Sequence, residues 1–178
     1  MTFKSDIFIL PGLGNSGEQH WQTHWERQYG FKRINQSEWD APVMETWIST
    51  IDEALKPYDL QNVILVGHSL ACSTVAFWAA KYGRKIKGAL LVGPSDTEAD
   101  TYPPGTTGFK PMPVYKLPFA SITVASTDDY YVSLERATYF ANCWGSKLAT
   151  IGNAGHINVA SGYTVWDEGL EFLKELDG

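Results

Sequence analysis

The stretch Asn62-Val63-Ile64-Leu65-Val66-Gly67-His68-Ser69-Leu70-Ala71 decides how this chain folds. After Asn62 its first half is apolar without a break. A strand with one wet face alternates apolar and polar residues, whereas a strand covered on both faces does not, so Asn62–Val66 reads as a central strand of a parallel sheet. The second half has the form G-x-S-x-A. Gly67 and Ala71 stand two positions either side of Ser69, where a very sharp turn tolerates only small side chains. Ala71 replaces the commoner glycine and is small enough for the place. Leu70–Tyr82 is rich in small residues, has helical character and stops at Gly83. Strand, tight turn and helix in that order form the setting that lifts a serine hydroxyl to the carboxyl edge of a sheet as a nucleophile. The rival reading, Ser69 as an ordinary helix N-cap, asks for a serine but not for its small neighbours.

On either side of this stretch, short apolar runs alternate with amphipathic ones. Asp6–Leu10 reads as a strand ending at Pro11-Gly12, and Glu18–Tyr29 as a helix with Trp21, Trp25 and Tyr29 four apart. Phe31–Asn35 is a weak second strand. Met44–Leu55 places Met44, Trp47, Ile48, Ile51 and Leu55 at helical spacing before Pro57. Beyond the central motif come a strand at Ile86–Val92, a strand at Ile122–Ser126, a helix at Leu134–Trp144, a strand at Lys147–Ile151 and a closing helix at Thr164–Leu176. Between Pro94 and Pro118 lies a long segment rich in Pro, Gly and Thr, a length at which loops are often functional. Six strands separated by helices predict an α/β fold: a doubly wound, mostly parallel six-stranded sheet flanked by helices. Right-handed crossovers favour the strand order 2-1-3-4-5-6. One domain over residues 1–178, without a lid domain, is expected.

Hydrophobic residues make up 44% of the 178 and charged residues 19%, the balance of a globular chain and not a disordered one. The formal net charge of −6 argues against nucleic acid and against steering to anionic membranes. No apolar stretch is long enough to span a bilayer, and the run Ile7–Leu10 is too short for a signal peptide. Cys72 and Cys143 are too few and too far apart for a disulfide framework or zinc site, so both are expected reduced. A cytoplasmic location follows as the expectation. Nothing in the pattern specifies an oligomer.

A nucleophilic serine needs a base and an acid further along the chain. Of His20, His24, His68 and His156, only His156 follows Ser69, in the glycine-preceded loop after the sixth strand. The acid belongs on the loop after the fifth strand, which offers Asp128 and Asp129. Val132, three residues past Asp129, favours that aspartate, and Asp128 is left to cap the turn or pair elsewhere. An oxyanion hole would use the Leu70 N–H and a second amide from Pro11–Gly17, with Leu13 first and Gly14 or Asn15 as alternatives. Gly12-x-Gly14-x-x-Gly17 also matches a dinucleotide-binding spacing. However, no acidic residue ends Phe31–Asn35, and Glu38 is poorly placed for a ribose. Trp21, Trp25 and Trp47 read as core. Trp39, with Phe109 and Met112 from the Tyr102–Pro118 loop, is expected to line a substrate pocket.

With these residues in place, the chain resembles the small serine hydrolases of the retinoblastoma-binding-protein-9 and YdeN family. The likeness runs through His20-Trp21-Gln22, Trp25-Glu26, Trp39-Asp40-Ala41-Pro42, Trp47, Gly67-His68-Ser69-Leu70, Val92-Gly93-Pro94-Ser95-Asp96, Ala125-Ser126-Thr127-Asp128-Asp129 and Gly155-His156-Ile157-Asn158. The resemblance implies a minimal, lidless hydrolase domain with a Ser69–Asp129–His156 triad, and it favours the second aspartate of the pair. The expected chemistry is hydrolysis of a small ester or amide through an acyl-enzyme, with no metal or organic cofactor. The expected partner is a small acyl substrate, with no nucleic acid and no membrane. An interaction protein on the same fold, or an acyltransferase or thioesterase, is the alternative.

Overall fold

In the computed structural model, which describes residues Met1–Gly178, β3 (Val63–His68) lies between β1 (Asp6–Leu10) and β4 (Gly88–Val92), with all six of its residues buried. β2 (Lys32–Arg33) flanks β1, and β5 (Ala120–Ala125) and β6 (Lys147–Thr150) follow β4, giving the order β2-β1-β3-β4-β5-β6. Every neighbouring pair is parallel, so the sheet is wholly and not mostly parallel.

The helices explain the unbroken apolar run of β3. Successive side chains of a strand point to opposite faces. Val63 and Leu65 join a cluster with residues of α2 (Met44–Leu55), α3 (Leu70–Tyr82) and α4 (Leu134–Trp144). Ile64 and Val66 join a second cluster with Trp21 and Trp25 of α1 (Trp21–Tyr29) and with Leu170 and Leu173 of α5 (Asp167–Asp177). Both faces are therefore dry. No helix is long and apolar enough to cross a membrane, and both cysteines are unpaired.

Several boundaries differ from the sequence expectation. β3 runs two residues further, because Gly67 pairs with Leu10 and Leu91, and His68 with Val92. The strand thus delivers the chain directly into Ser69. The first helix starts at Trp21, three residues late, because His20 is extended and its imidazole accepts the Gln22 N–H, capping the helix there. β2 shrinks to two residues, since it is an edge strand paired only to Phe8 and Ile9. The closing helix starts at Asp167, after the non-helical Trp166.

The segment 94–118 forms no helix or strand, apart from one bridge between Val43 and Thr107. It is nevertheless tied down. Arg136 pairs with Asp96, Glu98 accepts the Met112 N–H at 3.1 Å, and the Trp144 indole donates to the Pro113 carbonyl at 2.8 Å.

Leu65 is fully buried at the centre of the larger cluster. Leu65→Ala should cost about 2–5 kcal/mol, read as a fall in the urea midpoint. An unchanged midpoint would mean that β3 is not the core of this sheet.

Candidate active site

The turn after β3 holds Ser69 at φ 58°, ψ −123°, a conformation that side-chain-bearing residues rarely adopt. Strain of this kind, about 1–3 kcal/mol, persists only where its surroundings enforce it. Here the Ser69 N–H donates to the Val92 carbonyl at 2.9 Å, and the Ser69 carbonyl accepts the Cys72 N–H at 3.0 Å. Gly67 and Gly12 provide the space. A Cβ on Gly67 would lie 3.3 Å from the Ala71 carbonyl group. One on Gly12 would come within 2.8 Å of both the His68 carbonyl oxygen and the Ser69 Cβ. The loop after β1 therefore presses its bare backbone against the elbow.

The bend brings the Ser69 hydroxyl 2.8 Å from His156 Nε2. On the far side of that ring, Nδ1 lies 2.8 Å from Asp129 Oδ2 and 3.0 Å from Oδ1. Both side chains are almost wholly buried. Asp129 also accepts the Tyr131 N–H at 2.9 Å, which fixes its carboxylate. Asp128 turns away and accepts from the Ser126 hydroxyl and the Gly155 N–H. These hydrogen bonds, that from Ser126 foremost, hold its carboxyl below the usual range. Asp129 thus faces the imidazole, while Asp128 splices its loop to the histidine loop.

The histidine loop comes from the edge of the sheet and must reach back to its middle. Two buried donors clamp it there. His68 Nε2 donates to the His156 carbonyl at 2.9 Å, and the Trp21 indole donates to the Ile157 carbonyl at 2.8 Å.

The candidate amides separate cleanly. The Gly14 N–H is committed to the Trp39 carbonyl and the Asn15 N–H to the Gly12 carbonyl. The Leu13 N–H has no acceptor in the chain. The Leu70 N–H belongs to the first turn of α3, where amides lack intrahelical partners.

A cavity of about 140 Å³ opens over Ser69, and no Asp, Glu, Lys or Arg lines it. Its wall includes residues to which the sequence analysis gave no role in the site. Ser95, almost fully buried, places its hydroxyl 2.7 Å from that of Ser69. His20, His68, Tyr102 and Tyr131 also face the cavity. The available signal for Ser95 was its position just beyond β4, the strand beside β3. The expected pocket residues lie elsewhere. Phe109 is buried against Trp47 and Leu70, and Met112 is buried in the cluster with α4. Trp39 packs edge-on against Trp47. None of the three lines the cavity: the 94–118 segment turns Phe109 and Met112 into the core and presents Tyr102 and Pro103 instead, and Trp39 is taken up by its contact with Trp47. Trp21, Trp25 and Trp47 are buried core residues.

Two of the cavity histidines are held neutral. Burial is the main cause at both. It pushes His20 down to about 4, with the charges of Arg33 and His156 adding, and it pushes His68 well below its ordinary value, with His20 and His156 adding.

Comparison with known proteins places this geometry in company. The profile of the family described as serine hydrolase matches residues 7–175. A YdeN-like hydrolase from Pectobacterium atrosepticum is 32% identical, with a TM-score of 0.82 over 96% of this chain and 89% of that one. The ydeN gene product of Bacillus subtilis is 18% identical, with a TM-score of 0.82 over 97% and 98%. Esterase 2 of Thermogutta terrifontis shares the fold at 16% identity, with a TM-score of 0.69 over 98% and 82%. Among curated protein sequences there is no match.

Two outcomes follow from the packing and charge of this site. Unfolding frees both histidines to titrate near 6.5. The unfolded chain therefore binds more protons below that pH, and stability should decline as pH falls from about 6.5 toward about 4. For His20 the displacement corresponds to roughly 3 kcal/mol when complete. The urea midpoint at about pH 5.5 should lie below that at about pH 7.5, with a smaller difference in His20→Asn. Equal midpoints in the native protein would contradict the neutral assignment. Gly12→Ala should destabilise by about 1–3 kcal/mol through overpacking. Gly17→Ala, where a Cβ meets nothing within 4 Å, should stay within about 0.5 kcal/mol. Equal effects would contradict the close approach at Gly12.

Proposed function

The chain belongs to the serine hydrolase family and is a hydrolytic enzyme, and on that premise we propose that it cleaves small esters or amides through an acyl-enzyme on Ser69. The observation that carries this reading is the unbroken line from the Ser69 hydroxyl through His156 to Asp129, with contacts of 2.8 Å at both ends of the ring.

In the resting state the neutral imidazole donates its Nδ1–H to Asp129 and accepts the Ser69 O–H at Nε2. Ser69 Oγ attacks the acyl carbon as Nε2 takes its proton. The imidazolium is stabilised by the buried Asp129 carboxylate, which also keeps the ring in the right tautomer. The Leu13 and Leu70 amides receive the oxyanion as pre-placed donors. His156 then returns the proton to the leaving group. Water, activated by the same imidazole, releases the acyl group and restores Ser69. No step calls for a metal or organic cofactor. With the Ser69 O–H directed at His156, the Ser95 hydroxyl has Ser69 Oγ as its acceptor and holds the nucleophile in its rotamer.

The cavity suits small acyl groups. Its 140 Å³ is close to the size of an engineered protein cavity that accepts benzene, so an acyl group of about six non-hydrogen atoms fits within its walls.

A fluorophosphonate probe should label the native protein at Ser69 and leave Ser69→Ala unlabelled. His156→Ala or Asp129→Ala should each lower kcat on a short p-nitrophenyl ester by on the order of 10⁴, and the double variant should lose little more than one single. Folded native protein that resists the probe, or carries it on another residue, would overturn the proposal.

A further inference from the structure

Resting on that hydrolase reading, the geometry points to His20 as a specificity-determining residue that selects small, uncharged acyl groups bearing an oxygen acceptor over alkyl groups of the same size.

His20 is only 6% exposed, and it lines the cavity beside Ser69. Its ring is held by the start of α1, where Nδ1 accepts the Gln22 N–H at 3.2 Å. An acceptor nitrogen carries no proton, so in the neutral ring the proton sits on Nε2. The opposite tautomer would set two N–H groups against each other. No atom of the chain accepts the Nε2–H. The cavity wall therefore presents a fixed and unused donor. Burial keeps the ring neutral near pH 7.

The position suits an acyl group held on Ser69. The His68 ring centroid lies 4.9 Å from those of both His20 and His156. His20 is thus within two ring spacings of the base, a distance that a few atoms of acyl chain can bridge. It follows the same loop that supplies Leu13, and both residues line the cavity.

The polarity of the wall sets the class of ligand. Asn15 spends its amide oxygen on the Ser16 N–H and on Arg33, and Asn158 spends its own on the Ser161 N–H. Each has its NH₂ left to offer. The free groups of these two amides are thus donors, while the unpartnered Tyr102 hydroxyl can either donate or accept. With no cation in the lining to balance a carboxylate and no carboxylate to hold an ammonium, the complement is an uncharged acceptor such as an ether or carbonyl oxygen.

The test compares p-nitrophenyl methoxyacetate with p-nitrophenyl butyrate, a pair that differs by an ether oxygen in place of one methylene. Each kcat/KM is divided by the ester's own hydroxide-catalysed rate, which removes the inductive effect of the oxygen. The native enzyme should favour methoxyacetate by about tenfold, the worth of one good hydrogen bond. His20→Asn keeps an N-capping oxygen for Gln22 but withdraws the donor from the cavity. In that variant methoxyacetate should lose about tenfold more than butyrate does. A normalised ratio near one in the native enzyme overturns the inference and requires no variant to fold. So does a ratio that His20→Asn leaves unaltered. If the native protein takes the fluorophosphonate on Ser69 yet shows no preference, the selectivity claim alone falls. If it takes no probe, the hydrolase reading falls with it.

Discussion

The backbone of Ser69 is the constraint on which the rest of the site depends. A relaxed turn at this point would let the hydroxyl fall away from the sheet edge. Holding φ at 58° costs energy that the immediate contacts must offset. They do so from three directions: β4 supplies the Val92 carbonyl, α3 supplies the Cys72 amide, and the loop after β1 supplies the uncluttered backbone of Gly12. All three arrive at one place because β3 is central and its register sets Gly67 between Leu10 and Leu91. The fully buried strand is thus more than core. Its length determines where the bend occurs, and its neighbours determine which loops meet there.

Burial then sorts the charges. Three imidazoles stand close together, and a cationic His20 or His68 would oppose formation of an imidazolium at His156. The dry surroundings keep the first two neutral, and only His156 faces a carboxylate. The neutral pair still has structural work. His68 holds the returning histidine loop through the His156 carbonyl, and His20 starts α1. Their ring nitrogens are therefore committed in ways that fix their tautomers, and that determines which edge of His20 is left toward the cavity.

Signals that are local and periodic were legible in the sequence. The uninterrupted apolar run of β3 implied cover on both faces, and α2, α3 and α4 have the bounds that their spacing indicates. Strand order followed from the alternation of strands and helices, and the family likeness from motifs spread along the chain. Tertiary choices were not legible. Whether Phe109 and Met112 turn inward or line a pocket depends on Trp47 and α4, which are remote in sequence. Which glycine-loop amide stays free depends on the Trp39 carbonyl taking the one from Gly14. The late start of α1 is decided by a side chain folding back on its own backbone. Between Asp128 and Asp129 the sequence offered a preference through Val132 and the family likeness, and the folded loop turns Asp129 to His156 and Asp128 to Gly155.

A crystal structure of the phosphonylated protein would show whether the elbow serves this chemistry, because the adduct imitates the tetrahedral intermediate there. Phosphorus should be bonded to Ser69 Oγ, with its oxygen about 2.7–3.1 Å from both the Leu13 and the Leu70 amide nitrogens. A phosphonyl oxygen turned away from those two amides, or a Ser69 backbone relaxed out of its positive φ, would contradict that role.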